Sequence, residues 1–225
     1  MIALERLIRE LTTEINGQYP RPWMTSMQEP WNAKVFVVGY NPAKEYSASG
    51  LEHERHIHAL FNRNGETCRG LYTEITKASP TRGNIEMLTT KLADAGVMGV
   101  LETNVVCYAT GTKKELKGAL HAGGKSRGTQ IFQTLVSEIR PKAIVLHGKG
   151  VRDEFNRSFK NEVTVPPPSD KPGAFPQVEL STGTRVFAIP SLALPGYQNW
   201  PAGNSFCNWS DAYLDELARQ IAAVC

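Results

Sequence analysis

A chain of 225 residues, 41% of them hydrophobic and 21% charged, has the composition of an ordinary soluble globular protein, and its length suits one α/β domain spanning 1–225. A formal net charge of +3 permits a nucleic-acid partner without requiring one. The four cysteines, Cys68, Cys107, Cys207 and Cys225, form no Cys-x-x-Cys pair, which argues against a zinc or iron–sulfur site and for free thiols in a reducing cytoplasm.

Leu4, Leu7, Ile8, Leu11 and Ile15 fall at helical spacing, so an amphipathic first helix is expected to end near Gly17. Glu5, Arg6, Arg9 and Glu10 interrupt that stretch, which reads as neither a signal peptide nor a membrane span. Prolines and tryptophans between Pro20 and Trp31 mark an irregular lead-in. Four apolar residues, Val35 to Val38, then run into Gly39-Tyr40-Asn41-Pro42, the pattern of a buried parallel strand that stops abruptly. Residues 43 to 74 show no clean period and read as a long loop.

Ile85, Leu88 and Leu92 mark a helix, and Val100 to Cys107 a second strand with polar residues in its first half. A loop follows in which Lys113, Lys114, Lys117, Lys125 and Arg127 face only Glu115, a local balance of +4 that suits phosphates. Ile131, Phe132, Leu135, Val136 and Ile139 define the next helix, which Pro141 stops. Ala143 to Leu146 is a third strand, turning through His147-Gly148-Lys149-Gly150 into a short helix near Phe155. Five prolines between Val163 and Pro176 indicate a surface connection. Val178 to Leu180 and Arg185 to Ile189 read as two short strands, or one strand with an entry turn. Ser191 to Asn208 is an apolar loop, and Ser210 suits the N-cap of a last helix carrying Leu214, Leu217, Ala218 and Ile221. This alternation predicts an α/β fold, a three-layer α/β/α sandwich around a central four-stranded parallel sheet.

A parallel sheet brings its strand ends to one edge, where ligands bind. Four of those ends resemble the uracil-DNA glycosylase superfamily. Gly39-Tyr40-Asn41-Pro42 is similar to the Gly-X-Asn-Pro that closes the first strand in the mismatch-specific and single-strand-selective branches. Thr103-Asn104-Val105-Val106 resembles the Thr-Asn-Val-Val strand of the thermostable branch, whose Asn reads the base. Pro141 to Gly148 looks like the family's third strand, and Ile189-Pro190-Ser191 stands where its second motif, His-Pro-Ser or Asn-Pro-Ser, is usual. The resemblance spans about residues 34 to 208. It implies a single-domain DNA glycosylase-like hydrolase acting on a deaminated or damaged base, with DNA as partner and no cofactor or metal.

On that resemblance Asn41 and Ser191 are the catalytic candidates. Gly39, Tyr40, Pro42, Tyr46, Phe61, Asn104 and Pro190 would surround the base. Lys113, Lys114, Lys125 and Arg127 would contact DNA, with Leu192 and Leu194 as an apolar wedge. Excising a base requires a positioned water, donors to the base carbonyls and an aromatic surface, chemistry that amides and tyrosines supply. Two departures matter: Ile189 cannot donate a hydrogen bond, and Asn41 cannot take a proton as an Asp can. A non-catalytic nucleic-acid- or nucleotide-binding protein of the same fold is the alternative. Gly123-Gly124-Lys125-Ser126 lacks the earlier glycine of a P-loop, because position 119 is Ala119. His53, His56 and His58 lack a partner ligand in register for a metal.

Overall fold

The structure is a computed structural model that describes residues 2–76, 80–166, 172–192 and 209–225. In chain order its main elements are α1 (Ile2–Leu11), β1 (Gln18–Tyr19), β2 (Val35–Gly39), β3 (Tyr46–Ser47), α2 (His53–Leu60), α3 (Cys68–Ile75) and α4 (Pro80–Asp94). There follow β4 (Val100–Asn104), α5 (Gly124–Ile139), β5 (Ala143–His147), α6 (Lys149–Phe159), β6 (Gln177–Glu179), β7 (Arg185–Ile189) and α7 (Trp209–Ala222). None of the described helices is long and apolar enough to cross a membrane.

The protein is α/β, with one mixed five-stranded sheet in the order β4-β2-β5-β7-β6 and helices on both sides of it. β2, β5 and β7 are mutually parallel, as expected, but β6 is antiparallel to β7, so the sheet is neither four-stranded nor wholly parallel. The cause is local. Leu180 N bonds Thr184 O at 2.9 Å and Gly183 adopts φ +81°, so residues 180–184 make a tight hairpin, which can only return the chain antiparallel.

The chain divides into two compact units, each assembled from three segments. One comprises Lys34–Val38, Ala78–Val100 and Pro141–Cys225. Every residue of β5 is buried, which explains the unbroken apolar run in its sequence. Val35, Val37, Val145, Phe187 and Ile189 form a core with Leu88 and Leu92 of α4 and Leu214, Leu217 and Ile221 of α7. Full burial of each such side chain contributes about 1.5–3 kcal/mol. Lys91 reaches both Asp211, at 3.1 Å, and Asp215, at 2.7 Å, and ties α4 to α7 at the surface.

The other unit comprises Met1–Ala33, Gly39–Lys77 and Leu101–Arg140. Leu4, Ile8 and Leu11 are the buried stripe of α1, as the spacing predicts. The expected loop 43–74 instead holds β3, α2 and α3. Asn62 joins the two helices: its Nδ2 donates to Thr25 O and Met27 O, and its Oδ1 accepts from Cys68 N at 3.0 Å. Thr67 caps α3 by accepting from Gly70 N at 2.9 Å.

His56 lies fully buried in this unit, stacked on Tyr19 with ring centroids 5.8 Å apart. Its Nε2 lies 3.0 Å from the carbonyl of Pro20, which can only accept, so Nε2 carries the proton. Burial lowers the pKa of His56 to about 3. In the first unit, burial and then the charge of Arg82 lower that of His147 to about 4. The folded protein therefore keeps both rings neutral, while the unfolded chain protonates them near pH 6.5. Their contribution to stability is complete above that pH and is lost as the pH falls toward the folded values. Between pH 6.5 and 5.5 each histidine should cost about 1 kcal/mol of stability. Urea midpoints at the two pH values should show the loss, and His56→Gln should remove about half of it.

Candidate active site

Asn41 is held by a stretch of chain that follows β4. Val105 N bonds Gly39 O at 2.9 Å and Val106 N bonds Tyr40 O at 2.9 Å, so the backbone past Asn104 runs alongside the end of β2. Cys107 exchanges bonds on both sides, its N with Gly128 O at 3.1 Å and its O with Arg21 N at 2.9 Å. Gln18 Nε2 holds Ala109 O at 3.1 Å, and Thr110 N closes on Pro42 O at 3.1 Å. With its backbone satisfied in this way, the segment is a rigid rail that ends at Thr110.

The Asn41 amide has one defined orientation. Its Nδ2 donates toward Pro42 O at 3.1 Å, Thr110 O at 3.2 Å and Thr110 Oγ1 at 2.9 Å. Two of these partners are carbonyls, which only accept. The third, the Thr110 hydroxyl, spends its own proton on Thr112 O at 2.9 Å, so it too meets the amide as an acceptor. Only the nitrogen end fits against three acceptors. Oδ1 makes no hydrogen bond to any described residue, and so Asn41 offers a fixed acceptor beside the carboxyl end of β2. Such a group orients a water molecule but has no useful basicity.

Asn104, Gly39, Tyr40 and Pro42 belong to the same corner of this unit. The half-buried Asn104 side chain makes no hydrogen bond to a described residue, leaving both donor and acceptor for a ligand; its backbone carbonyl accepts from Cys107 Sγ at 3.2 Å. Lys113 Nζ lies 3.9 Å from the centroid of the half-buried Tyr40 ring, a cation–π contact that brings the basic loop to the residue before Asn41. Thr110 and Thr112, which orient the amide, carry no signature in the sequence beyond being small polar residues after a strand.

The other expected site residues differ in burial and surroundings. Phe61 is wholly buried, edge-on to Trp23 at 5.5 Å, and is a core side chain rather than a surface for a base. Tyr46 is 3% exposed and covered by the Arg21 guanidinium, 4.9 Å from its ring centroid, with burial pushing its phenol pKa up. Leu192 is fully buried in the core of its unit and cannot act as a wedge, while Leu194 lies outside the described residues. Pro190 and Ser191 are half-buried in that same unit. There a Cβ on Gly148 would sit 3.2 Å from Ser191 Cβ, so the glycine permits the close approach. Ile189 is fully buried in the apolar core between α4 and α7.

The basic loop divides by role. Lys114 is exposed, and Lys125 is half-buried at the start of α5. Arg127 is a structural residue: Nη1 reaches Glu10 O, Leu11 O and Thr13 Oγ1 at 3.3–3.5 Å, satisfying carbonyls at the end of α1. Arg127→Ala should therefore cost about 1 kcal/mol of stability. It should leave the salt dependence of any nucleic-acid binding unchanged, as thermal melts and binding titrations in parallel would show.

Burial pushes the thiols of Cys68 and Cys107 up to about 12, too high for a nucleophile at neutral pH. The three histidines of the 53–58 segment are engaged separately: His53 with Thr12 Oγ1, His56 with Pro20 O, and His58 with Glu54 and Asn64. No protein-family model matches the chain, and no curated protein matches it.

Proposed function

We propose that the protein is a DNA glycosylase-like hydrolase that cleaves the N-glycosidic bond of a deaminated or damaged, uracil-like base, within a three-layer fold of the uracil-DNA glycosylase type. The observation that carries this reading is the fixed polarity of Asn41. Three acceptors hold its Nδ2, and Oδ1 is left to align a water for attack on the sugar carbon. Asn104 supplies amide groups for a base edge, and Tyr40 with Lys113 supplies an aromatic face beside a positive charge. The bond breaks toward an oxocarbenium-like sugar and a departing base anion, and water then adds to the sugar, releasing a proton to solvent. Asn41 aligns the water but accepts no proton, so turnover is slow.

Single-turnover incubation of excess protein with oligonucleotides carrying uracil, hypoxanthine, xanthine or a thymine mispair, scored as abasic sites, tests the reading. Cleavage of at least one is expected; none would overturn the hydrolase reading. Ile189 favours a second one. An apolar side chain packed in the core leaves that position without a donor for the leaving base, which suits a binding protein that does no chemistry.

A further inference from the structure

We infer that α5 and the turn before it form a track for one single strand of nucleic acid, an inference that rests on the nucleic-acid reading above. An open groove of about 650 Å³ is lined by Lys125, Ser126, Thr129, Gln130 and Gln133 of α5, with Leu116 and Gly123 before it. Ser126, Gln130 and Gln133 are exposed, and Lys125 and Thr129 are half-buried, so the lining is polar, neutral save for one lysine, and rich in donors. From Lys125 to Gln133 the helix rises about 12 Å, at ~1.5 Å per residue.

Charge selects a polyanion as the occupant. Lys114 and Lys117 are exposed and make no ion pair among the described residues. The loop's acidic residue, Glu115, is exposed and accepts from Thr112 N and Thr112 Oγ1, which holds its pKa below the usual range and keeps it ionised, so the local balance of +4 already includes its charge. Serine, threonine and glutamine are the neutral side chains that commonly contact sugar and phosphate.

A single strand fits better than a duplex because of Leu120. It lies in the turn between Leu116 and Gly123 and is 85% exposed, in contrast to the buried leucines elsewhere in this unit. The turn is firmly held. Asn16 Nδ2 donates to Tyr108 Oη at 3.1 Å and to Ala122 O at 3.1 Å, and Tyr108 Oη lies 2.9 Å from His121 Nδ1. A fixed, exposed apolar side chain in the turn that joins the basic loop to the polar groove offers a surface to an unstacked base face, which a duplex keeps covered by its neighbours.

Fluorescence anisotropy with a labelled single-stranded oligodeoxynucleotide and its duplex, across a salt series, tests the track. Lys114→Ala with Lys117→Ala should flatten the single-strand salt slope by up to about 1.4, at ~0.7 for each phosphate that is no longer neutralised. Gln130→Ala with Gln133→Ala should weaken binding about tenfold with the slope unchanged, because neutral side chains release no counterions. Leu120→Ser should reduce the preference for single strand over duplex. Wild-type affinity in the glutamine pair, or a wild-type preference for duplex, would overturn the track and leave the nucleic-acid reading standing. Failure of the wild type to bind either oligonucleotide would remove both.

Discussion

Gly128→Ala is expected to destabilise the protein by about 3 kcal/mol, the upper end of what overpacking a dense interior costs. The reason is where a methyl group would go. A Cβ at Gly128 would stand 2.8 Å from Cys107 N, 2.9 Å from Tyr108 N and 2.9 Å from Val106 Cγ1. Two of these atoms are backbone, and the same backbone is fixed by the bond from Cys107 N to Gly128 O. These two backbone atoms cannot rotate out of the way, unlike the end of a long side chain. The substitution therefore pushes α5 off the rail that ends at Thr110, and Thr110 is what orients Asn41. Chemical denaturation measures the loss. The surface substitution Thr134→Ala on the same helix serves as the control, with an expected change within about 0.5 kcal/mol. A Gly128→Ala protein as stable as the wild type would mean that helix and rail do not touch.

The parts of this fold that could be read from sequence are those where a periodic pattern is long enough to be seen. β2 and β5 are unbroken apolar runs because they are buried on both faces, and α1, α5 and α7 are long enough for a 3.6-residue stripe to repeat. α2 and α3 have eight residues each, barely two turns, and their buried positions sit among histidines, glutamates and arginines that are tied up in ion pairs. That is why 43–74 reads as loop. The antiparallel edge had a signal: Ser181-Thr182-Gly183-Thr184 between two short strands is a hairpin turn, and a hairpin excludes parallel pairing.

Asn41 was legible because Gly-X-Asn-Pro places it at a strand end, but its orientation depends on Thr110 and Thr112, about 70 residues away in the chain, which no local pattern reveals. Phe61 and Leu192 mislead for the opposite reason. An aromatic or aliphatic residue in an apparently irregular stretch looks available for a ligand, and only the packing around it, Trp23 in one case and the α4–α7 core in the other, shows that it is already used.

Asn41→Ala is expected to lower single-turnover base excision by a factor of about 10² or more, equivalent to about 2.7 kcal/mol of barrier. The variant removes the acceptor that aligns the water and leaves Thr110 O, Thr110 Oγ1 and Pro42 O without the amide that they accept from. Folding should survive, because Asn41 is only half-buried and water can satisfy those oxygens. Asn41→Asp distinguishes this site from one built around a general base. A carboxylate at that position would turn an oxygen toward three acceptors, two of them carbonyls that cannot offer a proton. The aspartate should therefore be displaced from its place, or held protonated, and should not raise the rate above that of the wild type. Adding Thr110→Val to Asn41→Asp removes one opposing acceptor but leaves both carbonyls, so it too should fail to restore activity. Excision that persists in Asn41→Ala would take Asn41 out of the mechanism. Excision that rises in Asn41→Asp would show that the corner accommodates a charged base, contrary to the polarity its hydrogen bonds impose.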